Sequence, residues 1–497
     1  MKKQTIPSFC FCLGVLLAAE NFSIASDWLH AGPLFDDFSL TLTPGNRAEA
    51  VGPLFYFEES ESQKSWGFPP LCWGLHDTAT DVEKFGFGYP ILTYHRYGTE
   101  YRWQLLQLLS FAGGKNQRDD ASERFTIFPF YFSQRSTDTN KNYTALLPFY
   151  GRVKNRLFVD ELFVIMFPLY GQSRKADVVT DNYLFPIVHV RHGDSLYGWK
   201  VFPLAGHEHK DITTRTNGFG DVQTIPGHDG GFVLWPFYLY RHSGIGTDNP
   251  QDEHALLPFY SLVRSPHRDS TTVIWPLVTH VTDREKKYRE WQTPWPLIVF
   301  ARGEGKTTSR VFPFYSHAQT TNQESDFFLW PLYLAHRLHA ETIDRKRTRI
   351  FLFLYSDINQ KNLETGKARR RRDFWPLFTQ TRDYNGNSRL QILAPLEPIL
   401  PFNESVEREY SPMWSLWRAE KNPLTGAASQ SLLWNLYRHD TSPSSKKCSL
   451  FFGLFQYQSN AEGRQLRLFY LPVAKTGAKP KAADAQEDTR SAGPGTK

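Results

Sequence analysis

The chain is 497 residues long, with 57 Lys and Arg against 51 Asp and Glu (formal charge +6), 40% apolar residues and 15% aromatics. That aromatic content excludes a disordered or collagen-like chain, and beyond the N-terminus no apolar run is long enough for a spanning helix. A charge of +6 over this length gives no argument for a nucleic-acid partner, and 39 Phe with 32 Pro and 33 Gly favour strands and turns over helices.

At the N-terminus, Lys2 and Lys3 precede a mostly apolar stretch, residues 6–19, and Ser23-Ile24-Ala25 supplies a small-x-small cleavage pattern. Residues 1–25 therefore read as a secretory signal cleaved after Ala25, too short to span a bilayer. Cys10 and Cys12 leave with it, without a lipobox. Only Cys72 and Cys448 remain, which excludes a disulfide framework but permits one bridge in an oxidising compartment.

From there the chain is dominated by an internal repeat: an aromatic or Leu, then Pro, then Leu, Phe or Ile, often followed by Tyr or Val. Pro33, Pro53, Pro70 and Pro90 carry it loosely. It is clear at Pro129 with Tyr131, Pro148 with Tyr150, Pro168 with Tyr170, Pro186 and Pro203. It continues at Pro236 with Tyr238, Pro258 with Tyr260, Pro276, Pro296, Pro313 with Tyr315, Pro331 with Tyr333, and Pro376. Leu352-Phe353-Leu354-Tyr355, Trp414-Ser415-Leu416-Trp417, Trp434-Asn435-Leu436-Tyr437 and Phe452-Gly453-Leu454-Phe455 keep the frame without the proline. Spacings of about 17–23 residues give about 23 or 24 copies and mark a repeat architecture. The wide gap from Pro203 to Pro236 has room for a degenerate copy in the Gly-rich residues 217–231.

Between copies the sequence is polar and turn-rich, most clearly at Asp383-Tyr384-Asn385-Gly386-Asn387, Asn460-Ala461-Glu462-Gly463 and His192-Gly193-Asp194. One strand of ten to thirteen residues centred on each proline, followed by a turn, fills the period and predicts an antiparallel meander. With prolines aligned across neighbouring strands, Tyr150 meets Met166 on one face. Proline is the weak point of this register, because it cannot donate to a ladder. The expected organisation is residues 1–25 as signal, 26–474 as one β-repeat domain and 475–497 as a disordered polar tail.

A meander this long must close or hide its edges. The strand pattern resembles outer-membrane β-barrels as a class, and the resemblance implies a large closed barrel in an outer membrane with a structural or transport role. It covers architecture and carries no functional residue. Apolar residues on both faces near each proline, and a polar C-terminal tail, suit instead a propeller-like or layered soluble repeat, periplasmic or surface-exposed, that binds glycan, lipid or protein. In a closed ring the strands of Cys72 and Cys448 lie about 19 Å apart, so two unbridged thiols are expected.

No catalytic, cofactor or metal motif survives inspection, and the chain reads as non-catalytic. Gly303-Glu304-Gly305-Lys306-Thr307 resembles the tail of a phosphate loop but has Phe300 where the leading Gly belongs, and reads as a hairpin turn. His207-Glu208-His209 places two imidazoles on one strand face, where a neighbouring strand could add a third ligand; structural zinc usually wants four, and the pair reads as a solvated strand end. The one anion-binding candidate is the run Arg369-Arg370-Arg371-Arg372, suited to lipid head groups or phosphorylated sugar. Arg96, Arg135, Arg174, Arg241, Arg264, Arg302, Arg337 and Arg382 recur five or six residues after prolines and predict cationic rims at strand ends.

Overall fold

The computed structural model describes residues 34–115, 121–216, 220–461 and 463–477; the expected signal and most of the expected tail lie outside them. Strands of four to eight residues follow one another from Phe35–Ser39 to Leu471–Gly477, and the main sheet is a 43-stranded antiparallel meander. Among the described residues the gap after Pro203 holds no degenerate copy of the repeat. Thr213–Thr216 and Val222–Ile225 form a separate two-stranded sheet, and Ala205–Lys210 pairs directly with Gly227–Val233.

The meander is as expected, but its unit is corrected. Each period carries two short strands, and the proline lies in the turn between periods instead of at a strand centre. Val159–Ile165 ends at the turn Met166-Phe167-Pro168-Leu169, where the Leu169 N–H donates to the Met166 carbonyl at 2.8 Å, and Tyr170–Lys175 begins. The physical reason is proline's missing donor: inside a strand it removes a ladder bond, whereas in the turn none is lost. The X–Pro bonds at Pro129, Pro148, Pro168, Pro186, Pro236, Pro258, Pro276, Pro296, Pro313, Pro331 and Pro376 are cis, the arrangement of type VI turns.

Backbone hydrogen bonds continue through these turns. The Met166 N–H donates to Phe149 O (2.5 Å), Leu184 to Leu169 O (2.7 Å), Leu234 to Leu204 O (2.6 Å) and Leu329 to Phe314 O (2.6 Å). The proline carbonyls accept in turn, from Phe167 to Pro148 and from Trp330 to Pro313, both at 2.7 Å. All the proline turns consequently line one edge of the sheet. The other edge carries the polar turns, such as 176–177, 194–195, 304–305, 321–322 and 383–387. In the last, Asp383 Oδ1 accepts from the Asn385 and Asn387 N–H groups, and Gly386 supplies the left-handed φ of 86°.

The register moves by one residue from the expected one. Tyr150 stands opposite Leu146 and Ile165, while Met166 is already in the turn at φ 47°. The aromatic–aliphatic row survives the shift. Tyr131 faces Ile127 and Leu146, Tyr238 faces Val233 and Leu256, Tyr260 faces Leu256 and Val273, and Tyr333 faces Ile350 on one side and the aromatic Phe328 on the other. Pairs of this kind contribute about 0.2–1 kcal/mol each.

The two faces differ. On the inner face lie most of the buried residues, many of them small or polar: Val153, Ala301, Thr308, Ser316, Asp373, Ser449 and Gln456 are almost fully covered. The outer face carries the exposed Tyr–aliphatic row and, toward the polar edge, a recurring arginine clamp. Arg135, Arg264 and Arg302 each donate from Nη1 to the carbonyl of the preceding residue and to that of its partner strand, and from Nη2 to Thr144, Thr271 or Ser309. These three of the expected rim arginines thus staple hairpin ends. Arg241, opposite Gly230, is on the inner face.

The first strands meet the segment around residues 429–438. Asn435 Nδ2 donates to Asp36 and Glu49, Thr41 Oγ1 donates to Ser429 Oγ, and the Arg438 guanidinium lies 3.4 Å from the Phe38 ring centroid. Among the described residues no backbone ladder joins the first strand to the last. Cys72 and Cys448 are both unbridged.

Val153 is fully covered in a cluster with Phe132, Tyr143 and Ala145, whereas Val233 on the apolar edge is half exposed. Val153→Ala is expected to lower local stability by about 2 kcal/mol, read as faster amide exchange in Tyr150–Arg156 and Val159–Ile165. Val233→Ala is expected to stay within about 0.5 kcal/mol.

Candidate functional site

Two features stand out as surfaces for chemistry. The first is the row of proline turns. Their large side chains point into solvent: Phe130 is 57% exposed, Phe149 55%, Phe237 57%, Phe259 66% and Phe314 59%, with Trp235, Trp275, Trp295 and Trp330 near one half. Each turn exposes apolar surface on the order of 150 Å², about 3,000 Å² along the strip. A typical monomer's largest patch is about 300–600 Å². The residues of the repeat singled out from sequence, the prolines and the Tyr that follow, are brought together on this one edge.

The second feature is the junction of the first strands with the segment around residues 429–438. The insert 393–416 leaves the apolar edge after Ser388–Ile392 and carries two short helices, α1 (Glu404–Glu409) and α2 (Ser411–Trp414). Asn403 caps α1, its Oδ1 accepting from the Ser405 and Val406 N–H groups. The insert packs against the first strands of the sheet, and its Met413 carbonyl accepts from Trp434 Nε1. The Tyr56 hydroxyl donates to the Arg408 carbonyl, Lys84 pairs with Glu404 at 3.1 Å, and Arg408 covers the Trp73 ring. Buried Glu397 accepts from Gln391, Ser411, Trp414 and the Leu396 N–H.

Beside the insert is a cavity of about 510 Å³, lined in part by Arg369, Arg371, Arg389, Arg418, Leu75 and Phe402. The run Arg369–Arg372 does not act as one patch, because alternate residues of a strand face opposite ways. Arg369 and Arg371 turn inward: Arg369 bonds to neutral Gln360, and Arg371 pairs with Asp373 at 3.0 Å and donates to Glu397 O. Arg370 and Arg372 turn outward, Arg370 forming two bonds to Asp357 and Arg372 lying 3.9 Å from the same carboxylate.

Charge on the inner face is held largely by pairs two residues apart on one strand: Arg47–Glu49, Arg371–Asp373, Arg418–Glu420 and Arg438–Asp440. Against the upward push of burial, Arg418 and Arg389 hold the Glu420 carboxyl at about 2. Two other carboxyls go the opposite way. Burial pushes Glu409 to about 7, against hydrogen bonds from the Tyr89 and Gly88 backbone. Burial also pushes Asp36 to about 7, opposed by Arg438 and aided by Glu49. Sequence reasoning missed the inner-face pairs, for which the recurrent Arg-x-Glu/Asp spacing was the available signal, and also Glu409 and Asp36, for which there was none.

The other sequence candidates are placed plainly. His207 donates to or accepts from the Tyr240 hydroxyl at 2.9 Å, and His209 lies between Asp229 and Asp211, while Glu208 turns to the other face to meet Arg191 and His228. Residues 304–305 form the expected hairpin turn. His317, Glu324 and Asp326 present ligand atoms within 4.8 Å of one another, a spacing that suits a cation, at a half-exposed position. Comparison with protein families returns no match, and neither does comparison with curated proteins.

The raised carboxyls set a pH dependence at the junction. Between the ordinary carboxyl values, near 4, and about 7, the folded chain holds protons on Glu409 and Asp36 that the unfolded chain has released. Their contribution is complete below about pH 4, falls as pH rises, and is gone above about 7, on the order of 3–4 kcal/mol per group. Limited proteolysis of the insert is expected to be faster at pH 8 than at pH 5, and Glu409→Gln is expected to reduce that difference.

Proposed function

We propose that this chain is an exported, non-catalytic envelope protein that seats on a lipid surface through its apolar turn edge, with a structural or transport-like role. The observation that carries this reading is the continuity of that edge: every proline turn adds exposed Phe, Trp, Leu or Ile to one line, and the opposite edge is polar. Trp and Tyr beside aliphatic tips are the side chains that favour the membrane–water interface. The secretory-type N-terminus supports export, and its combination with barrel-like strands favours the outer membrane of a Gram-negative-type cell.

Strand length favours seating over spanning. A six-residue strand such as Tyr170–Lys175 reaches about 20 Å, and a spanning strand uses about 9–11 tilted residues. Burial of several half-exposed Phe rings in a leaflet contributes about 1 kcal/mol or more per ring, and repetition along the strip adds these contributions.

The test is flotation with vesicles of phosphatidylethanolamine and phosphatidylglycerol. The chain is expected to float and to resist elution by salt while yielding to detergent. Replacing Phe130, Phe149, Phe259 and Phe314 together by Ser is expected to lower vesicle binding at least about tenfold, with the circular dichroism spectrum unchanged. Release of the unmodified chain from washed envelopes by salt alone would contradict the reading.

A further inference from the structure

The inner face carries a second, unassigned group of cations close to the cavity. On the strand Ile343–Ile350, Arg345, Arg347 and Arg349 alternate with Lys346 and Thr348, so all three point to the inner face. Their cross-strand neighbours establish this: Arg345 is opposite Gln360, Arg347 opposite buried Ile358, and Arg349 opposite buried Ser356. One strand further, Gln360 is opposite Arg369, Ile358 opposite Arg371 and Ser356 opposite Asp373. On the other side stand Leu338, His336 and Leu334. Across these four strands the inner face thus holds five arginines and one carboxylate, Asp373, which Arg371 and Thr379 already engage.

The acids of this region turn the other way. Asp344 pairs with Arg337 and Asp357 with Arg370 on the outer face. Among the described residues Arg345, Arg347 and Arg349 have no ion pair, although each is half-buried, and the Arg347 Nε is buried without a hydrogen-bond partner. Burial and the neighbouring Arg345 push the Arg349 guanidinium below its usual value. Such crowding is unfavourable until an anion is shared between the cations.

We infer that this inner-face arginine row, Arg345, Arg347 and Arg349 with Arg369 and Arg371 two strands away, binds a small multivalent oxyanion. Residues two apart on a strand repeat every ~6.6 Å, and the two arginine rows are about 9.6 Å apart. A ligand with two or more phosphate or carboxylate groups at such spacing meets both rows, Arg345, Arg347, Arg349 and Arg369 offering the planar fork that suits those groups, while Arg371, held by Asp373 and Glu397 O, adds positive charge behind them. The adjoining 510 Å³ cavity, with Leu75, Ile358 and Phe402 in its wall, accepts the uncharged part of the molecule. Half-burial of the row admits a small or single-chain anion and not a duplex.

The inference is independent of lipid attachment and is tested without vesicles, by isothermal titration of the full chain with tripolyphosphate and with citrate. The two ligands separate phosphate from carboxylate chemistry. Tripolyphosphate is expected to bind with a dissociation constant below about 1 mM, and inorganic phosphate at least about tenfold more weakly. Arg347→Gln and, separately, Arg345→Gln are expected to weaken tripolyphosphate at least about tenfold. Lys346→Gln, on the same strand but the outer face, is expected to change it less than about twofold. Tighter binding of citrate would keep the site and reassign it to carboxylates. Absence of binding by either ligand, or equal losses in the Arg347→Gln and Lys346→Gln chains, would overturn the inference.

Discussion

The row of backbone hydrogen bonds that ties each proline turn to the one before it is the interaction on which the rest of the structure depends. A proline cannot donate, so a sheet with a proline in every period must place that residue where no donor is required. The turn is such a place. There the preceding residues still donate, as Met166 does to Phe149 and Phe167 does to Pro148, and the proline carbonyl still accepts. Putting the proline in the turn limits the strands to about half the repeat, gathers the aromatic neighbours of every proline on one edge, and leaves the polar connections to form the other.

The result is a sheet that is amphipathic across its width more than between its faces. Its inner face is small and polar, with charges neutralised locally by pairs such as Arg47–Glu49 and Arg418–Glu420. Stacked layers are not needed to cover an apolar face. What is left uncovered is an edge, and an edge of Phe, Trp and Leu tips beside Tyr has the character of a lipid interface. The same alternation that sorts charges by face concentrates Arg345, Arg347 and Arg349 inward and sends Asp344 and Asp357 outward. The proposed lipid attachment and the proposed anion site thus fall on different parts of one strip.

The sequence made the period, the antiparallel meander and the polar hairpin turns legible, because each rests on local chemistry: Asn385-Gly386 for a turn, Pro-x-Tyr for a repeat. The strand boundaries were not legible. An aromatic-Pro-aromatic centre reads equally as the middle of a strand and as an apolar turn, and only the ladder across Tyr150 and Ile165 distinguishes them. The site was half legible. Arg369 to Arg372 were visible as charge, but their division between faces follows from strand phase, and their meeting with Glu58 and Leu75 in one cavity wall follows from contact between chain segments far apart in sequence. Glu409 and Asp36, whose carboxyls burial raises, carry no motif at all.

The central claim is that the strip meets lipid along one edge. Spin labels compare the two edges directly: one at Phe259 in an apolar turn, one at Asn322 in a polar turn, each in a chain with Cys72 and Cys448 replaced by Ser and bound to vesicles. The account predicts that the label at 259 is relaxed by oxygen and shielded from a water-soluble nickel chelate, and that the label at 322 shows the reverse. Equal access of the chelate to both positions would contradict it.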